Sequence, residues 1–350
     1  MERKNTRVIK VGNTLVGGNN PITVQSMTNT ITKDTKATIN QIKKLEEAGC
    51  DIIRVAINDS EDAKAINYIN KHVNIPIIGD IQYDYKLALE AIKYGIHGLR
   101  INPGNIGSSQ RVKEIVKDCK EKGISIRVGV NSGSIKKEYL EKYNGVNENS
   151  MVYSALEQVR LLEELDFYDI KISLKASNVP LTVKSYKKMS EICNYPLHLG
   201  ITEAGPVWRG TIKSSVGIGT LLSMGIGDTI RISLTGDPVE EVKVGREILK
   251  SLGLLKEGLE LISCPTCGRT KINLIEIVEE AERRLEGIHK HIKVAIMGCP
   301  VNGPGEAREA DIGIAGGNGE GLIFSKGEII RKVKEEDLLD ELIKEIEKID

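Results

Sequence analysis

Residues 51–102 read DIIRVAINDSEDAKAINYINKHVNIPIIGDIQYDYKLALEAIKYGIHGLRIN. Three short runs rich in Ile and Val, at 51–57, 76–81 and 98–102, are separated by two segments of helical character. In the second of these segments the Ala and Ile residues follow the period of a helix that buries one face. A strand that returns through a helix to a further strand is the parallel βαβ unit, so this stretch predicts two such units in succession.

The same alternation continues through most of the chain. We predict eight strands, at residues 22–26, 51–57, 76–81, 98–102, 125–131, 169–174, 196–202 and 228–234. Helical segments follow them at residues 35–48, 59–71, 84–93, 108–122, 151–165, 181–193, 211–224 and 239–252. Eight strand–helix units in about 250 residues are typical of a (β/α)8 TIM-type barrel, and a doubly wound open sheet is the alternative. The count and the length favour the barrel.

One connection is long, and we predict a polar surface loop over the barrel mouth at residues 133–150. After residue 255 the pattern changes. The predicted elements there are a cysteine-bearing segment at 262–268, a helix at 274–285, strands at 293–297, 311–315 and 321–325, and a helix at 335–349. We therefore predict a barrel domain at residues 1–254 and a small α/β domain at residues 255–350.

The composition excludes several classes of protein. The 350 residues include 49 basic and 49 acidic side chains, so the formal net charge is zero. Proteins that hold nucleic acid through its phosphates usually carry a basic surplus. The longest weakly polar stretch, at residues 216–227, is far shorter than the roughly 20 apolar residues of a membrane span, and no apolar leader follows the N-terminus. We expect a soluble cytoplasmic protein that binds neither nucleic acid nor membrane.

Basic side chains lie within the predicted strands, near their carboxyl ends. They are Arg54, Arg100, Arg127, Lys171, Lys175 and Arg231. A guanidinium in an apolar strand is costly unless an anion meets it, and the carboxyl ends of all barrel strands face one mouth. The pattern predicts a site for a polyanion, most simply a diphosphate, because the planar arginine fork can donate two bonds to one phosphate. In the alternative, each arginine pairs with a local carboxylate or faces outward.

Other strand ends carry acidic and neutral polar residues. Asp80 and Glu203 are candidate acid–base or hydroxyl-binding carboxylates, although they could equally pair with the arginines. His198 is a further candidate, but a single histidine near a strand end is often a hydrogen-bonded packing residue. The amide and hydroxyl side chains at these ends are Asn102, Asn131 and Ser233.

The sharpest local signal is Cys264-Pro-Thr-Cys267-Gly, with Cys299 following in a Gly/Pro-rich turn. Three thiolates are compatible with a zinc site completed by His289 or His291, with a redox disulfide, or with an iron–sulfur cluster that leaves one iron open. The cluster is the most productive interpretation, because an open iron can bind substrate. The other cysteines, interpreted as buried hydrophobes, are Cys50, Cys119 and Cys193.

Glu306 follows Cys299 by seven residues and could cap the open iron. A carboxylate oxygen is a poor match for a soft cluster, so such a ligand would be displaced readily.

Two motifs, Cys264-Pro-Thr-Cys267 and Gly298-Cys-Pro-Val-Asn-Gly-Pro-Gly-Glu306, resemble the cluster motif of the 4-hydroxy-3-methylbut-2-enyl diphosphate synthase family. These enzymes catalyse the penultimate step of the non-mevalonate isoprenoid pathway. Further matching motifs, spread over nearly the whole chain, are PITVQSMTNT (21–30), LRINPGNIG (99–107), RVGVN (127–131), KAS (175–177), LHLGITEAG (197–205) and DPVEE (237–241).

The resemblance implies a [4Fe-4S] cluster held by Cys264, Cys267, Cys299 and Glu306. It implies reduction of 2-C-methyl-D-erythritol 2,4-cyclodiphosphate by two electrons from reduced flavodoxin or ferredoxin. The positions that match the family's diphosphate-binding residues are Arg54, Arg100, Arg127, Lys175 and Ser233. The positions that match polar residues around the sugar-derived part are Asp80, Asn102, Asn131 and Glu203. It also implies a homodimer in which the cluster domain of one subunit covers the barrel mouth of the other.

The chain departs from the family at Gln82, where a histidine usually follows Asp-Ile. An amide does not titrate, so Gln82 cannot deliver a proton. The catalytic candidates are therefore Glu306, Glu203 and Asp80, and the substrate-binding candidates also include His198 and Arg231. Two alternatives stay open: a zinc-stabilised cap on an aldolase- or isomerase-like barrel, and a non-enzymatic iron–sulfur or redox-sensing protein.

Overall fold

The computed structural model describes residues 2–102, 106, 109–288, 290–300 and 307–349. The chain divides into two compact units, Met1–Leu255 and Lys256–Asp350. Within the described residues, no helix combines the length and the apolar content needed to cross a membrane.

The first unit contains eight parallel strands with surrounding helices, preceded by a two-stranded hairpin. Its strands are β1 Ile9–Val11, β2 Thr14–Val16, β3 Thr23–Met27, β4 Ile52–Ala56, β5 Ile77–Asp80, β6 Gly98–Ile101, β7 Ser125–Asn131, β8 Ile170–Lys175, β9 His198–Leu199 and β10 Thr229–Ile230. Its helices are α1 Thr35–Glu47, α2 Ser60–Ile69, α3 Tyr85–Lys93, α4 Ser109–Lys122, α5 Lys137–Lys142, α6 Glu148–Glu163, α7 Val179–Ile192, α8 Val207–Ser223 and α9 Pro238–Ser251.

The eight strands from β3 to β10 close into a barrel. Their order in the sheet is β8-β7-β6-β5-β4-β3-β10-β9. A parallel bridge between Ile172 of β8 and Leu197, which precedes β9, brings the two ends of this order together. The predicted TIM-type barrel is therefore confirmed, and the open-sheet alternative is wrong.

Amphipathic helices bury the outer face of this barrel. In α1 the residues Thr38, Ile42 and Leu45 are fully buried, as the helical period predicts. Asp59 caps α2 by accepting a hydrogen bond from the backbone N–H of Asp62 at 2.9 Å, which satisfies a donor that the helix itself leaves free.

An antiparallel hairpin, β1 and β2, was absent from the sequence-based expectation. Its residues Ile9, Val11 and Val16 pack against Ile52 and Ile78 in a small apolar cluster. Ile52 begins β4 and Ile78 lies near the start of β5, so the hairpin closes the amino end of the barrel, opposite the mouth. Strands of three residues are too short to show a two-residue alternation, which explains why this element was missed.

The connection after β7 is more ordered than the loop predicted at 133–150. It contains a 3-10 turn at Ser132–Ser134 and helix α5, and α6 begins at Glu148 behind an Asn147 cap. Helix α5 is only six residues long and fully buries none of them, so its sequence carries almost no periodic signal.

Within the described residues, the second unit consists of a five-stranded sheet and two α-helices. The strands are β11 Leu259–Ser263, β12 Ile292–Met297, β13 Ile312–Ala315, β14 Glu320–Ser325 and β15 Glu328–Lys334, and the helices are α10 Leu274–Arg284 and α11 Leu338–Ile346. The five strands are hydrogen-bonded to one another in chain order. Strands β11 to β13 are parallel, and strands β13 to β15 are antiparallel. Strand β15 was not predicted, because Glu, Arg and Lys flank its exposed Ile329 and Ile330.

Candidate functional site

A polar cavity of about 200 Å³ opens at the carboxyl ends of the barrel strands. Its lining residues are Arg54, Asp80, Gln82, Arg100, Arg127, Gly129, Asn131, Ser173, Lys175, Thr202, Arg231 and Ser233. Eight of the predicted site residues therefore meet at one cavity, five of them cationic. Asp80 is the one carboxylate among these described lining residues.

The register of the strands places these side chains at matching heights. Asp80 of β5 is paired with Arg100 of β6, and Arg100 is paired with Arg127 of β7. Two inward-facing positions beyond Arg127, Asn131 of β7 is paired with Lys175 of β8. Because alternate residues of a strand face the same side, Arg127, Gly129 and Asn131 all face the barrel interior.

Asp80 compensates two of the arginines. Its Oδ2 lies 3.7 Å from Nε of Arg54, and its Oδ1 accepts a hydrogen bond from Nη1 of Arg100 at 3.3 Å. Arg231 lies 4.0 Å from Glu241, measured from Nη2 to Oε2. The alternative of local pairing therefore holds in part for these three arginines.

Arg127 lacks such compensation. Its Nη1 donates to Oγ of Ser173 at 2.9 Å, while its buried Nε has no hydrogen-bond partner within the described residues. Burial, together with the charge of Arg100, lowers the pKa of Arg127 to about 9. Burial and the charges of Arg231 and Arg127 hold the pKa of Arg54 well below its ordinary value. These buried cations repel one another. An anion bound in the cavity would reduce this electrostatic repulsion.

His198 lies behind Lys175 and does not line the cavity wall. Its Nε2 is 3.3 Å from Nζ of Lys175, and its Nδ1 is 3.4 Å from Oγ1 of Thr229. Burial and the Lys175 charge hold the pKa of His198 well below its ordinary value, so the ring is neutral. A neutral ring that donates from Nδ1 to Thr229 can accept from Lys175 with Nε2 and so orient that ammonium.

The remaining predicted residues of the barrel are not among the described residues that line the cavity. Asn102 is buried just after β6. Glu203 follows β9 with a φ of +51°, a left-handed conformation that is uncommon outside glycine and often marks a functional loop. Glu306 lies outside the described residues.

Glu241 is a site residue that the sequence reasoning missed. Its Oε1 accepts from the backbone N–H of Leu234 at 2.9 Å, and its Oε2 accepts from Oγ of Ser26 at 3.3 Å and faces Arg231. Burial raises the pKa of Glu241, while the Arg231 charge opposes this shift. In the sequence, Glu241 is the second of two glutamates at the start of a helix. Acidic residues are common in the first turn of a solvated helix, so this position did not stand out.

In the second unit, Cys264 and Cys299 follow two neighbouring parallel strands. Cys264 comes directly after β11, and Cys299 stands two residues beyond β12. These strands pair Ser263 with Ile296, so both thiols belong to the carboxyl edge of the sheet. The backbone N–H of Gly298 donates to Sγ of Cys264 at 3.2 Å, which joins the two segments directly.

Cys267 is held by the loop that continues from Cys264. Its backbone N–H donates to Oγ1 of Thr270 at 3.1 Å, and the N–H of Lys271 donates to the carbonyl of Gly298 at 2.9 Å. A backbone hydrogen bond from Arg269 lowers the pKa of the Cys267 thiol, which favours the thiolate that binds metals. The loop is therefore tied to the same sheet edge as the other two cysteines.

The three thiols near this edge are compatible with an iron–sulfur cluster. All six cysteines are free thiols, so the three near this edge form no disulfide. Among the described residues, no group of three or more His, Cys, Asp or Glu side chains is placed to hold a metal ion. Of the two histidines that could complete a zinc site, His289 lies outside the described residues, and His291 precedes β12, roughly 20 Å from Cys299 by strand rise. A cubane instead spreads its thiolates over different irons, which three cysteines around one loop can provide.

Two solved structures are similar to about 70% of this chain. Dihydropteroate synthase from Yersinia pestis superimposes with a TM-score of 0.52 at 11% identity, covering 70% of this chain and 97% of that one. Type I 3-dehydroquinate dehydratase from Clostridium difficile does so with a TM-score of 0.51 at 14% identity, covering 71% of this chain and 98% of that one.

Sequence relatives match both units. The enzyme named 4-hydroxy-3-methylbut-2-en-1-yl diphosphate synthase (flavodoxin) is 65% identical in Clostridium acetobutylicum, over 99% of each chain, and 58% identical in Geobacter sulfurreducens, over 98% of each chain. Residues 6–246 match the GcpE TIM-barrel domain, and residues 260–348 match the GcpE protein C-terminal domain. The chain, which carries both domains in this order, therefore belongs to the GcpE family.

Proposed function

We propose that this chain is a flavodoxin-dependent 4-hydroxy-3-methylbut-2-en-1-yl diphosphate synthase. It reduces 2-C-methyl-D-erythritol 2,4-cyclodiphosphate to 4-hydroxy-3-methylbut-2-enyl diphosphate. The single observation that carries the proposal is the cavity in which five cationic side chains meet one lining carboxylate. The name of the relatives, one of which is 65% identical over 99% of this chain, supports the reaction and the flavodoxin donor. Ferredoxin is the other donor that the resemblance implies.

The cavity residues have different roles in substrate binding. Arg100, Arg127 and Lys175 offer guanidinium and ammonium donors to the two phosphates, and Ser233 adds a hydroxyl. Asn131, level with Lys175, offers an amide to the hydroxyl groups of the carbon skeleton. Asp80 sets the positions of Arg54 and Arg100 by facing both, so we assign it an orienting role at the substrate.

Three further residues of the barrel complete the proposed substrate site. His198 orients the ammonium of Lys175. Asn102 and Glu203, at the ends of β6 and β9, serve the sugar-derived part of the substrate, with Glu203 as the candidate proton carrier.

A [4Fe-4S] cluster is proposed at the carboxyl edge of the second sheet, with Cys264, Cys267 and Cys299 as thiolate ligands and Glu306 as the fourth. When bound, such a cluster supplies electrons one at a time and a Lewis-acidic iron. The overall reaction then balances: two electrons and two protons enter, one carbon–oxygen bond to phosphate breaks, one hydroxyl leaves as water, and a carbon–carbon double bond forms.

A homodimer is the proposed assembly, and one helix supports it. Trp208, Ile212 and Val216 lie four residues apart on α8 and are 76%, 47% and 56% exposed. Next to this stripe, α8 and α9 form a groove of about 240 Å³ lined by Val244, Ile248 and Leu252. Exposed apolar side chains grouped on one helix favour burial against a partner, and in a two-fold dimer the same patch of each copy would meet the other.

Sedimentation tests the assembly. The wild-type chain is expected to sediment as a dimer, and Trp208→Glu as a monomer. Tyr68→Glu is the matched control, because Tyr68 is a 52% exposed aromatic residue on another helix, and this variant should remain a dimer. A wild-type monomer, or a Trp208→Glu dimer of unchanged affinity, would contradict the proposed interface.

Anaerobic turnover tests the reaction. Protein purified without oxygen is given the cyclodiphosphate and reduced flavodoxin, and the product is identified by ³¹P NMR. We expect 4-hydroxy-3-methylbut-2-enyl diphosphate to form only when all three components are present. A barrel that binds the cyclodiphosphate and returns it unchanged, with reductant and cluster present, would refute the proposed activity.

A further inference from the structure

A buried lysine lies below the cavity and has no assigned role. Lys171 of β8 is 1% exposed, and its Nζ has no hydrogen-bond partner within the described residues. It is paired in register with Arg127 and lies four residues before Lys175, on the face that points into the barrel. A buried ammonium without an acceptor is costly, so this position calls for a functional explanation.

Other polar groups at this depth of the barrel also lack partners. Both amide atoms of Gln25, the hydroxyl of Thr23 and Nε of Arg127 are buried without a hydrogen bond from the described residues. Thr23 is level with Thr229, and Thr229 is level with His198. The barrel therefore has a polar layer beneath the diphosphate cavity, in place of the apolar layers that usually fill such a barrel.

The charges around Lys171 come from several strands. The titratable and charged groups that face the barrel interior with it are Arg54 (β4), Asp80 (β5), Arg100 (β6), Arg127 (β7), Lys175 (β8), His198 (β9) and Arg231 (β10). Asp80 is already paired with Arg54 and Arg100. The net charge of these side chains is therefore positive before an anion binds. A bound anion would favour the protonated, charged form of Lys171.

We infer that Lys171 is a positioning residue of the proposed diphosphate site, which takes up a proton from solvent when the anion fills the cavity above it. The added charge strengthens the field that holds the phosphates against Arg127. The inference rests on the proposed function, because it requires a diphosphate in this cavity.

The titration of Lys171 agrees with this geometry. Burial, together with the charges of Arg127 and Arg54, lowers its pKa to about 7. A nearby dianion raises that pKa again, so binding takes up protons at any pH between the two values. At pH 8 the free side chain is therefore mostly neutral, and the expected uptake on binding is up to about one proton. The cyclodiphosphate itself does not titrate here, because each of its phosphorus atoms keeps a single, strongly acidic oxygen.

Calorimetry measures this uptake directly. The full-length protein, prepared without oxygen and kept without reductant, is titrated with the cyclodiphosphate at pH 8 in buffers of different protonation enthalpy. Lys171→Met is expected to take up fewer protons than wild type, by up to about one proton per cyclodiphosphate bound. Between pH 8 and pH 9 the wild-type affinity should fall about tenfold more than that of the variant. Lys184→Met, at an exposed lysine of α7, is the matched control and should behave as wild type.

Lys171→Arg provides a second, independent test. An arginine keeps its proton more firmly than a lysine, so this variant should bind the cyclodiphosphate without the Lys171 share of the proton uptake, even if Lys171→Met fails to fold. Unchanged uptake in a folded Lys171→Met, or unchanged uptake in Lys171→Arg, would assign the proton to Lys175 or His198 and overturn the inference alone. Failure of the wild-type protein to bind the cyclodiphosphate would overturn the proposed function, and the inference with it.

Discussion

Arg127→Met is the substitution that best separates a substrate-binding arginine from a structural one. Arg127 is 4% exposed, donates one hydrogen bond to Ser173 at 2.9 Å, and is repelled by Arg100 and Arg231. Met retains much of the length of the side chain and removes its charge. The protein therefore loses little of its own bonding, while a bound phosphate loses a guanidinium.

The expected magnitudes differ for binding and for folding. A hydrogen bond to a charged group contributes about 1.5–3 kcal/mol, and truncating one partner of a buried charge pair costs about 2–5 kcal/mol. We expect affinity for the cyclodiphosphate to fall by about 2–4 kcal/mol, which is about 30-fold to 1,000-fold. The free energy of unfolding without ligand should stay within about 1 kcal/mol of wild type or rise, because a buried and repelled charge is removed.

Two measurements on the same protein check this reasoning. Calorimetry with the cyclodiphosphate gives the affinity, and urea unfolding gives the stability. Arg246→Met is the matched control: its Nη1 donates to the carbonyl of Gly49 at 2.7 Å, away from the cavity, so it should lower stability and leave affinity unchanged. The reasoning fails if Arg127→Met binds normally and unfolds at clearly lower urea.

The other predictions concern the cluster and the barrel interior. Cys267→Ser should lose iron and the visible absorption of the anaerobic protein, whereas Cys119→Ser, at a buried cysteine of α4, should keep both; iron retained in the first variant would remove Cys267 from the ligand set. Tyr186→Phe should lower stability by about 1–3 kcal/mol in urea unfolding, because the Leu174 N–H loses its phenolic acceptor; an unchanged midpoint would show that this bond contributes nothing. Asp80→Asn should unfold more easily because two guanidiniums lose their carboxylate, and pyrophosphate should restore part of the loss in a thermal melt; no response to pyrophosphate would contradict an anion site here.

Much of the barrel and of its mouth could be predicted because each strand carries its own signal. A β-branched run followed by an amphipathic helix is readable locally, and the TIM-type barrel places every strand end at one mouth. The meeting of Arg54, Arg100 and Arg127 follows from those two facts alone. Gln82 at the cavity wall follows as well, since it comes two residues after Asp80.

What could not be predicted depends on contacts between distant segments. Glu241 compensates Arg231 only because α9 begins next to the end of β10, and nothing in its own surroundings along the chain distinguishes it. The place of His198 behind Lys175 requires the pairing of β9 with β10 and Thr229. Strand β15 and helix α5 are exposed on most of their length, so neither carries the apolar period from which elements are recognised.

The stoichiometry of electron transfer tests the central claim most directly. Flavodoxin hydroquinone, which becomes the semiquinone when it gives up one electron, is mixed anaerobically with the protein and a limiting amount of cyclodiphosphate, and semiquinone and product are quantified together. The account predicts two semiquinones for each 4-hydroxy-3-methylbut-2-enyl diphosphate formed, and none without the cyclodiphosphate. Product formed without oxidation of flavodoxin, or flavodoxin oxidised at the same rate in a cluster-free Cys267→Ser protein, would contradict it.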